Sequence, residues 1–132
     1  MIIKLDMAGD IPIYLQLRNQ IVIGIGRGDL PAGSSLPTVR QLADEIGVNM
    51  MTVSKTYTIL KNDGYIEVDR RHGAKVNPKP GISTQYRERL EEELSLLIAE
   101  SGLKGICAED FMKLCNKIYG KMKGLKNVGG EG

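Results

Sequence analysis

Apolar positions recur at helical spacing in several stretches of this chain and alternate in one. Tyr14, Leu17, Ile21 and Ile25 recur at intervals of three and four, which places them on one helical face. Pro12 precedes them, and proline suits a first helical turn because its missing N–H would have no partner there. Gly24, Gly26 and Gly28 weaken and then end this helix. Ahead of it, residues 2–5 read as a short strand. Residues 30–37, Leu-Pro-Ala-Gly-Ser-Ser-Leu-Pro, carry turn chemistry. Thr38-Val-Arg-Gln41 forms a capping box, in which Thr38 caps and Gln41 reaches back. The helix it opens turns Val39, Leu42, Ala43 and Ile46 inward, and Gly47 stops it. Asn49 suits the N-cap of the next helix, whose inner face is Val53, Tyr57 and Leu60 and whose end is Asn62-Asp63-Gly64.

The period then changes. Residues 65–69 alternate, with Ile66 and Val68 on one face. Arg70-Arg71-His72-Gly73 reads as a hairpin tip, and residues 74–77 as the returning strand. Two strands this short need the helices to pack against. Pro78-Lys-Pro-Gly81 is a linker. Residues 83–100 form an amphipathic helix with Tyr86, Leu90, Leu94, Leu97 and Ile98 on one side, broken by Ser101-Gly102. Residues 108–123 form a second, with Phe111, Cys115, Ile118 and Met122 aligned. Residues 127–132 read as a disordered end.

The segment from Val39 to Thr56 has the requirements of a helix-turn-helix. Two short helices crossing steeply need a small residue at the contact, Ala43, and a residue tolerant of positive φ in the turn, Gly47. Leu42, Ile46, Val48 and Val53 fill the wedge. In this geometry the first turn of the second helix faces a DNA major groove. Its exposed positions are Asn49, Met50, Met51, Thr52 and Lys55. Asn reads adenine, Thr contacts a base or phosphate, methionine packs on a thymine methyl, and Lys55 suits a phosphate. No acid occurs between Asn49 and Asn62. Arg40 is placed for a phosphate or guanine contact. Arg70, Arg71, His72 and Gly73 form a wing tip whose arginines suit a minor groove.

Composition adds bounds. The chain has 132 residues, 42% hydrophobic and 26% charged, with a net charge of +2. Basic residues number ten against eight acids over residues 1–80 and eight against eight over 81–132, so any basic footprint is local. Cys107 and Cys115 do not make a secreted disulfide framework. Eight residues apart on one helix, they would be about 12 Å apart and unable to pair within the chain. A buried small hydrophobe is the reading for Cys115, with a redox link between subunits as the alternative. No signal peptide or membrane span is visible, which points to the cytoplasm. The single histidine and the lack of a C-x-x-C pair leave no metal set, and His72 has no catalytic companions. Gly24-x-Gly26-x-Gly28 ends a helix, whereas a dinucleotide loop opens one. No enzyme, cofactor or metal is expected.

With those residues in view, the stretch from Pro12 to Val76 resembles the GntR family of bacterial regulators. The resemblance runs through Pro12-Ile-Tyr-Leu-Gln16, Gly28-Asp-Leu-Pro-Ala-Gly33, Leu36-Pro-Thr-Val-Arg40-Gln-Leu-Ala43, Gly47-Val-Asn-Met-Met-Thr-Val53, Tyr57, Leu60 and Asp63-Gly64-Tyr-Ile66. The short two-helix tail is similar to the YtrA-like subfamily, which lacks a large effector domain. The resemblance implies a homodimer on a palindromic operator, repression as the usual outcome, and transporter genes nearby as frequent targets. It maps the family's DNA-contacting arginine onto Arg40, the recognition contacts onto residues 49–52 and the wing contacts onto residues 70–73. Two departures stand out. Many members carry Arg, and the YtrA-like ones often Pro, where this chain has Met50. The usual Gly-x-Gly-Thr-Phe-Val wing reads Arg71-His-Gly-Ala-Lys-Val76.

The expected fold is mainly α with a small β-hairpin wing: a winged helix-turn-helix over 1–77, a linker over 78–82, a two-helix dimerisation tail over 83–126 and the end at 127–132. The tail cannot bury both its apolar faces alone, so Tyr86, Leu90, Leu94, Leu97, Phe111, Cys115, Ile118 and Met122 are expected to meet a second copy, the alternative being a fold back onto the same chain's winged helix. The expected function is a sequence-specific DNA-binding repressor. The competing expectation is a winged helix that binds another protein through Met50 and Met51. A small-molecule effector stays unassigned.

Overall fold

The computed structural model describes residues 3–71 and 73–125. In chain order it contains α1 (Ile13–Arg27), α2 (Val39–Ile46), α3 (Met50–Asn62), β1 (Ile66–Asp69), β2 (Gly73–Val76), α4 (Thr84–Leu103) and α5 (Ala108–Lys121). The mainly helical class with one antiparallel hairpin is as expected. Two compact units result. Among the described residues, one holds those up to Pro80 together with 122–125, and the other is residues 81–121.

The first unit is built on the face that the periodicity marked. Leu17 and Ile21 of α1, Leu42 and Ala43 of α2, Val53, Tyr57 and Leu60 of α3, and Ile66, Ala74 and Val76 of the hairpin form one buried cluster. Val39, Ile46 and Val48 pack on it from the turn. Burying each large aliphatic contributes about 1.5–3 kcal/mol, which outweighs the cost of holding an eight-residue helix such as α2. The capping box forms: Gln41 N–H donates to Thr38 Oγ1 at 3.1 Å, and Thr38 N–H donates to Gln41 Oε1 at 2.9 Å. Gly47 ends α2 at φ +71°, a backbone region that costs a side-chain-bearing residue energy. Its N–H and that of Val48 both donate to the Ala43 carbonyl.

Three expectations change in this unit. Residues 3–6 form no strand, and Ile2 lies outside the described residues. Side-chain amides of α1 take the part of a neighbouring strand instead. Gln20 exchanges two hydrogen bonds with the Lys4 backbone, and Gln16 exchanges two with that of Asp6. These glutamines are one helical turn apart, matching the two-residue repeat of an extended chain, and Ile3 and Leu5 are left to pack on the core. The stretch read as turns before α2 also pairs with the wing. Gly33 N–H donates to Val76 O, Val76 N–H to Ser34 O and Leu36 N–H to Ala74 O, so β2 is bonded on both sides and Leu36 is buried. Finally, Val68 shares its alternation with Ile66 but is 49% exposed, although Ala74 opposite it on β2 is buried.

The end of the described chain belongs to this unit as well. Gly124 N–H donates to Gly26 O at 2.8 Å. A Cβ on Gly124 would overlap the Ile25 carbonyl and the Gly28 backbone. The Gly24-x-Gly26-x-Gly28 run is therefore where a second backbone stretch lies directly on the end of α1.

In the second unit α4 continues through Ser101-Gly102, contrary to expectation, and ends at Leu103. A glycine in a helix costs about 1 kcal/mol, too little to stop twenty residues. The stop comes where Gly105 N–H donates to Gly102 O and Ile106 N–H to Ser101 O, the paired pattern of a Schellman end. Ser83 caps the start through Tyr86 N–H. α5 ends two residues before the expected Lys123. Residues 126–132, which include the expected disordered end, lie outside the described residues.

Candidate nucleic-acid interface

The expected site residues fall in two places. Arg40 is exposed in the first turn of α2. Asn49 caps α3, and Met50, Met51, Thr52 and Lys55 follow along its first two turns. Met51 is 78% exposed, Met50 44%, and Thr52 is half-buried. The second place is the wing, where Arg70, Arg71 and Gly73 are exposed. The tip is shaped by Asp69, whose carboxylate accepts from Arg71 N–H at 2.9 Å. His72 lies outside the described residues.

Asn49 was expected both to cap and to read adenine. The structure fills the first role: Asn49 Oδ1 accepts from Met51 N–H at 2.7 Å. A bidentate adenine contact needs that same oxygen, turned outward. The two roles compete, and the cap alone stabilises the helix by about 1 kcal/mol.

Three groups set the position of α3, and periodicity singled out only Tyr57 among them. Thr56 is completely buried, and its hydroxyl donates to the Tyr14 carbonyl at 2.8 Å, tying α3 to α1. Tyr57 donates its hydroxyl to the Pro37 carbonyl at 2.7 Å, tying α3 to the entrance of α2. Burial pushes the Tyr57 hydroxyl pKa up to about 12, so it remains a donor. At the far end, Arg18 reaches Asp63 at 3.7 Å and stands over the Tyr65 ring at 5.5 Å. The buried threonine gives no sequence signal of its own, since its neighbour Tyr57 already accounts for the helical stripe.

Ser54 and Thr58 join Met51 and Lys55 on one outward stripe of α3, lining a shallow groove. Lys55 directs its ammonium over the Tyr14 ring, 3.9 Å from the centroid. This stripe carries no acid. The acids flanking it in sequence are Asp44 and Glu45, exposed in the second turn of α2, and Asp63, which caps the far end of α3 and reaches Arg18.

Among the described residues none in α4 or α5 is buried. Tyr86, Leu90, Leu94, Leu97 and Ile118 are exposed, while Phe111 and Cys115 are half-buried. Both cysteines are free thiols and Cys107 is exposed. Met122 differs from the expectation. It lies beyond α5, in the first unit, with its sulfur over Gly26, because the chain must turn there to bring Gly124 against α1. Among the described residues no helix is long and apolar enough to cross a membrane.

A short helix pair crossing at a glycine turn, with an acid-free outer stripe and a flanking hairpin, defines a winged helix-turn-helix regulator. Residues 13–76 match the family of bacterial regulatory proteins, gntR family. The chain is 32% identical over 126 residues to the HTH-type transcriptional repressor YtrA of Bacillus subtilis (strain 168), covering 94% of this chain and 97% of that one. It is 38% identical over 71 residues to the HTH-type transcriptional regulator Rv1152 of Mycobacterium tuberculosis, a match spanning 54% of this chain and 59% of that protein. Among solved structures, YtrA from Sulfolobus acidocaldarius, a GntR-family transcription factor, superposes with a TM-score of 0.60 at 35% identity, over 74% of this chain and 99% of that one. The chain belongs to the GntR family and is a DNA-binding transcription regulator. Membership decides between the two expected functions in favour of DNA over a protein-binding winged helix.

Proposed function

We propose that this chain is a cytoplasmic, homodimeric repressor of a nearby operon, with transporter genes the first to test, acting on a palindromic operator and without enzymatic activity. The observation that carries this reading is the outward stripe of α3, which is acid-free and rigidly seated by Thr56 and Tyr57. Arg40, Asn49, Met50, Met51, Thr52 and Lys55 serve the major groove and the phosphates beside it. Arg70, Arg71, His72 and Gly73 serve the wing contact. Repression is supported by the likeness to the Bacillus subtilis transcriptional repressor YtrA, which extends over nearly the full length of both chains.

Dimerisation is supported by the tail. Residues 83–121 leave large apolar side chains in water, with Leu97 55% and Leu90 43% exposed. A contiguous apolar patch of this kind marks an association surface, and a standard interface covers about 1,600 Å2 in total. Two-fold pairing would set two recognition helices about 34 Å apart, one turn of B-DNA.

The test is binding of the purified protein to its own promoter region against scrambled DNA at two salt concentrations, with sedimentation in parallel. Promoter-selective binding that falls steeply with salt, by a dimer, is the expected result. A dimer that binds both duplexes equally would overturn the sequence-specific reading, and a monomer that still binds selectively would overturn the dimeric one.

A further inference from the structure

Met51 is an apolar side chain, 78% exposed, second in the recognition helix. It shares its stripe with Ser54, Lys55 and Thr58, at spacings of three, four and seven residues. We propose that Met51 is the specificity-determining residue of α3, and that it selects one thymine in each half-site by packing its thioether on the thymine C5-methyl. This rests on the sequence-specific operator binding proposed above.

Three polar groups of this surface are turned to other tasks, and Met51 is the most exposed large apolar group that it presents. The Asn49 oxygen is turned to the Met51 amide at 2.7 Å. The Thr58 hydroxyl donates back to the Ser54 carbonyl at 3.0 Å. Lys55 offers a point charge over Tyr14, which suits a phosphate and does not tell bases apart. Met51 is nearly twice as exposed as Met50, and it alone of the two lies in line with Ser54, Lys55 and Thr58.

The chemistry of the groove then names the base. Burying an exposed thioether is favourable only against an apolar group. Among the major-groove edges of the four unmodified bases, thymine alone carries a methyl; the others present N7, O6, N6–H or N4–H. Methionine against those edges would strip water from polar atoms without replacing its hydrogen bonds. The preference thus has an attractive and a repulsive part. The unbranched, polarisable side chain adapts to the methyl without a fixed rotamer.

The experiment begins with selection of duplexes from a randomised pool by the full-length protein. Each thymine of the selected site is then replaced by deoxyuridine, which removes the methyl and leaves the Watson–Crick pair. Wild type, Met51→Ala and Met51→Leu are compared by titration, with circular dichroism to show that the variants fold. We expect one thymine per half-site at which uracil weakens wild-type binding about fourfold, the worth of one buried methyl. The effect should disappear in Met51→Ala and largely return in Met51→Leu. A selected site with no uracil-sensitive thymine, or a sensitivity undiminished in Met51→Ala, would overturn the assignment while leaving sequence-specific binding intact. Failure to select any sequence overturns the underlying reading, and this inference with it.

Discussion

The ammonium of Lys55 lies 3.9 Å from the centre of the Tyr14 ring, so a residue of α1 holds the cation that the first two turns of the recognition helix present. Two effects are therefore separable. Lys55→Ala should weaken binding to all duplexes about equally and reduce the slope of log K against log salt by about one. Tyr14→Leu keeps the charge but frees it, so affinity should fall modestly with the slope unchanged. An unaltered slope in Lys55→Ala would mean that this lysine neutralises no phosphate.

Asn49 acts first as a cap. Asn49→Ala should lower stability by about 1 kcal/mol, whereas Asn49→Ser, which keeps an acceptor for the Met51 amide, should lower it by far less. Operator preference should be the same in Asn49→Ser as in wild type. Relaxed discrimination at a single adenine in that variant would show that the amide reads a base after all. Urea denaturation and binding to a panel of point-substituted duplexes supply the two readouts.

Tyr57 gives the fold a defined alkaline limit. Its hydroxyl is raised by burial to about 12 in the folded protein and titrates near 10 when unfolded. A group raised on folding contributes stability that is complete below the unfolded value and is lost as pH climbs through the folded one. Stability should thus fall by roughly 2–3 kcal/mol between pH 10 and 12 from this residue alone. Tyr57→Phe should flatten that part of the profile relative to wild type. At pH 7 the same variant should cost about 1 kcal/mol, because the Pro37 carbonyl loses its donor. Equal alkaline slopes in the two proteins would contradict the assignment.

Two glycines should fail for different reasons. A Cβ on Gly47 meets nothing within 4 Å, yet φ is +71°, so Gly47→Ala should cost about 1–2 kcal/mol through the backbone alone, and Gly47→Asn less. Gly124 has the opposite problem, since its added Cβ would collide with main-chain atoms of Ile25 and Gly28. Gly124→Ala should release residues 122–125 from α1, seen as faster exchange of the amide at position 124 than in wild type, and Asn should rescue nothing there.

Much of the architecture could be read from residue order because it rests on local chemistry. The Thr38–Gln41 capping box, the Gly47 stop, the Asn49 cap and the stripe Val53-Tyr57-Leu60 each depend on residues within one or two turns of each other. The order of helices and the hairpin follow from these, and so does the outward placement of Met51 and Lys55.

What the chain order could not show depends on partners distant in sequence. Residues 2–5 read as a short strand, but the donors and acceptors that meet the backbone of Lys4 and Asp6 belong to Gln16 and Gln20, brought near by the direction α1 takes. The turn before α2 is sequence-typical of a loop, and it becomes a third edge of the wing because β2 returns beside it. Ser101-Gly102 is a weak helix breaker that cooperative helix formation overrides. Met122 fits the helical stripe of α5, yet the close backbone approach of Gly124 to α1 removes it from that face. Periodicity reports which side of an element is apolar; the tertiary structure decides what that side meets, because backbone hydrogen bonds and close packing are satisfied between residues that spacing along the chain does not relate.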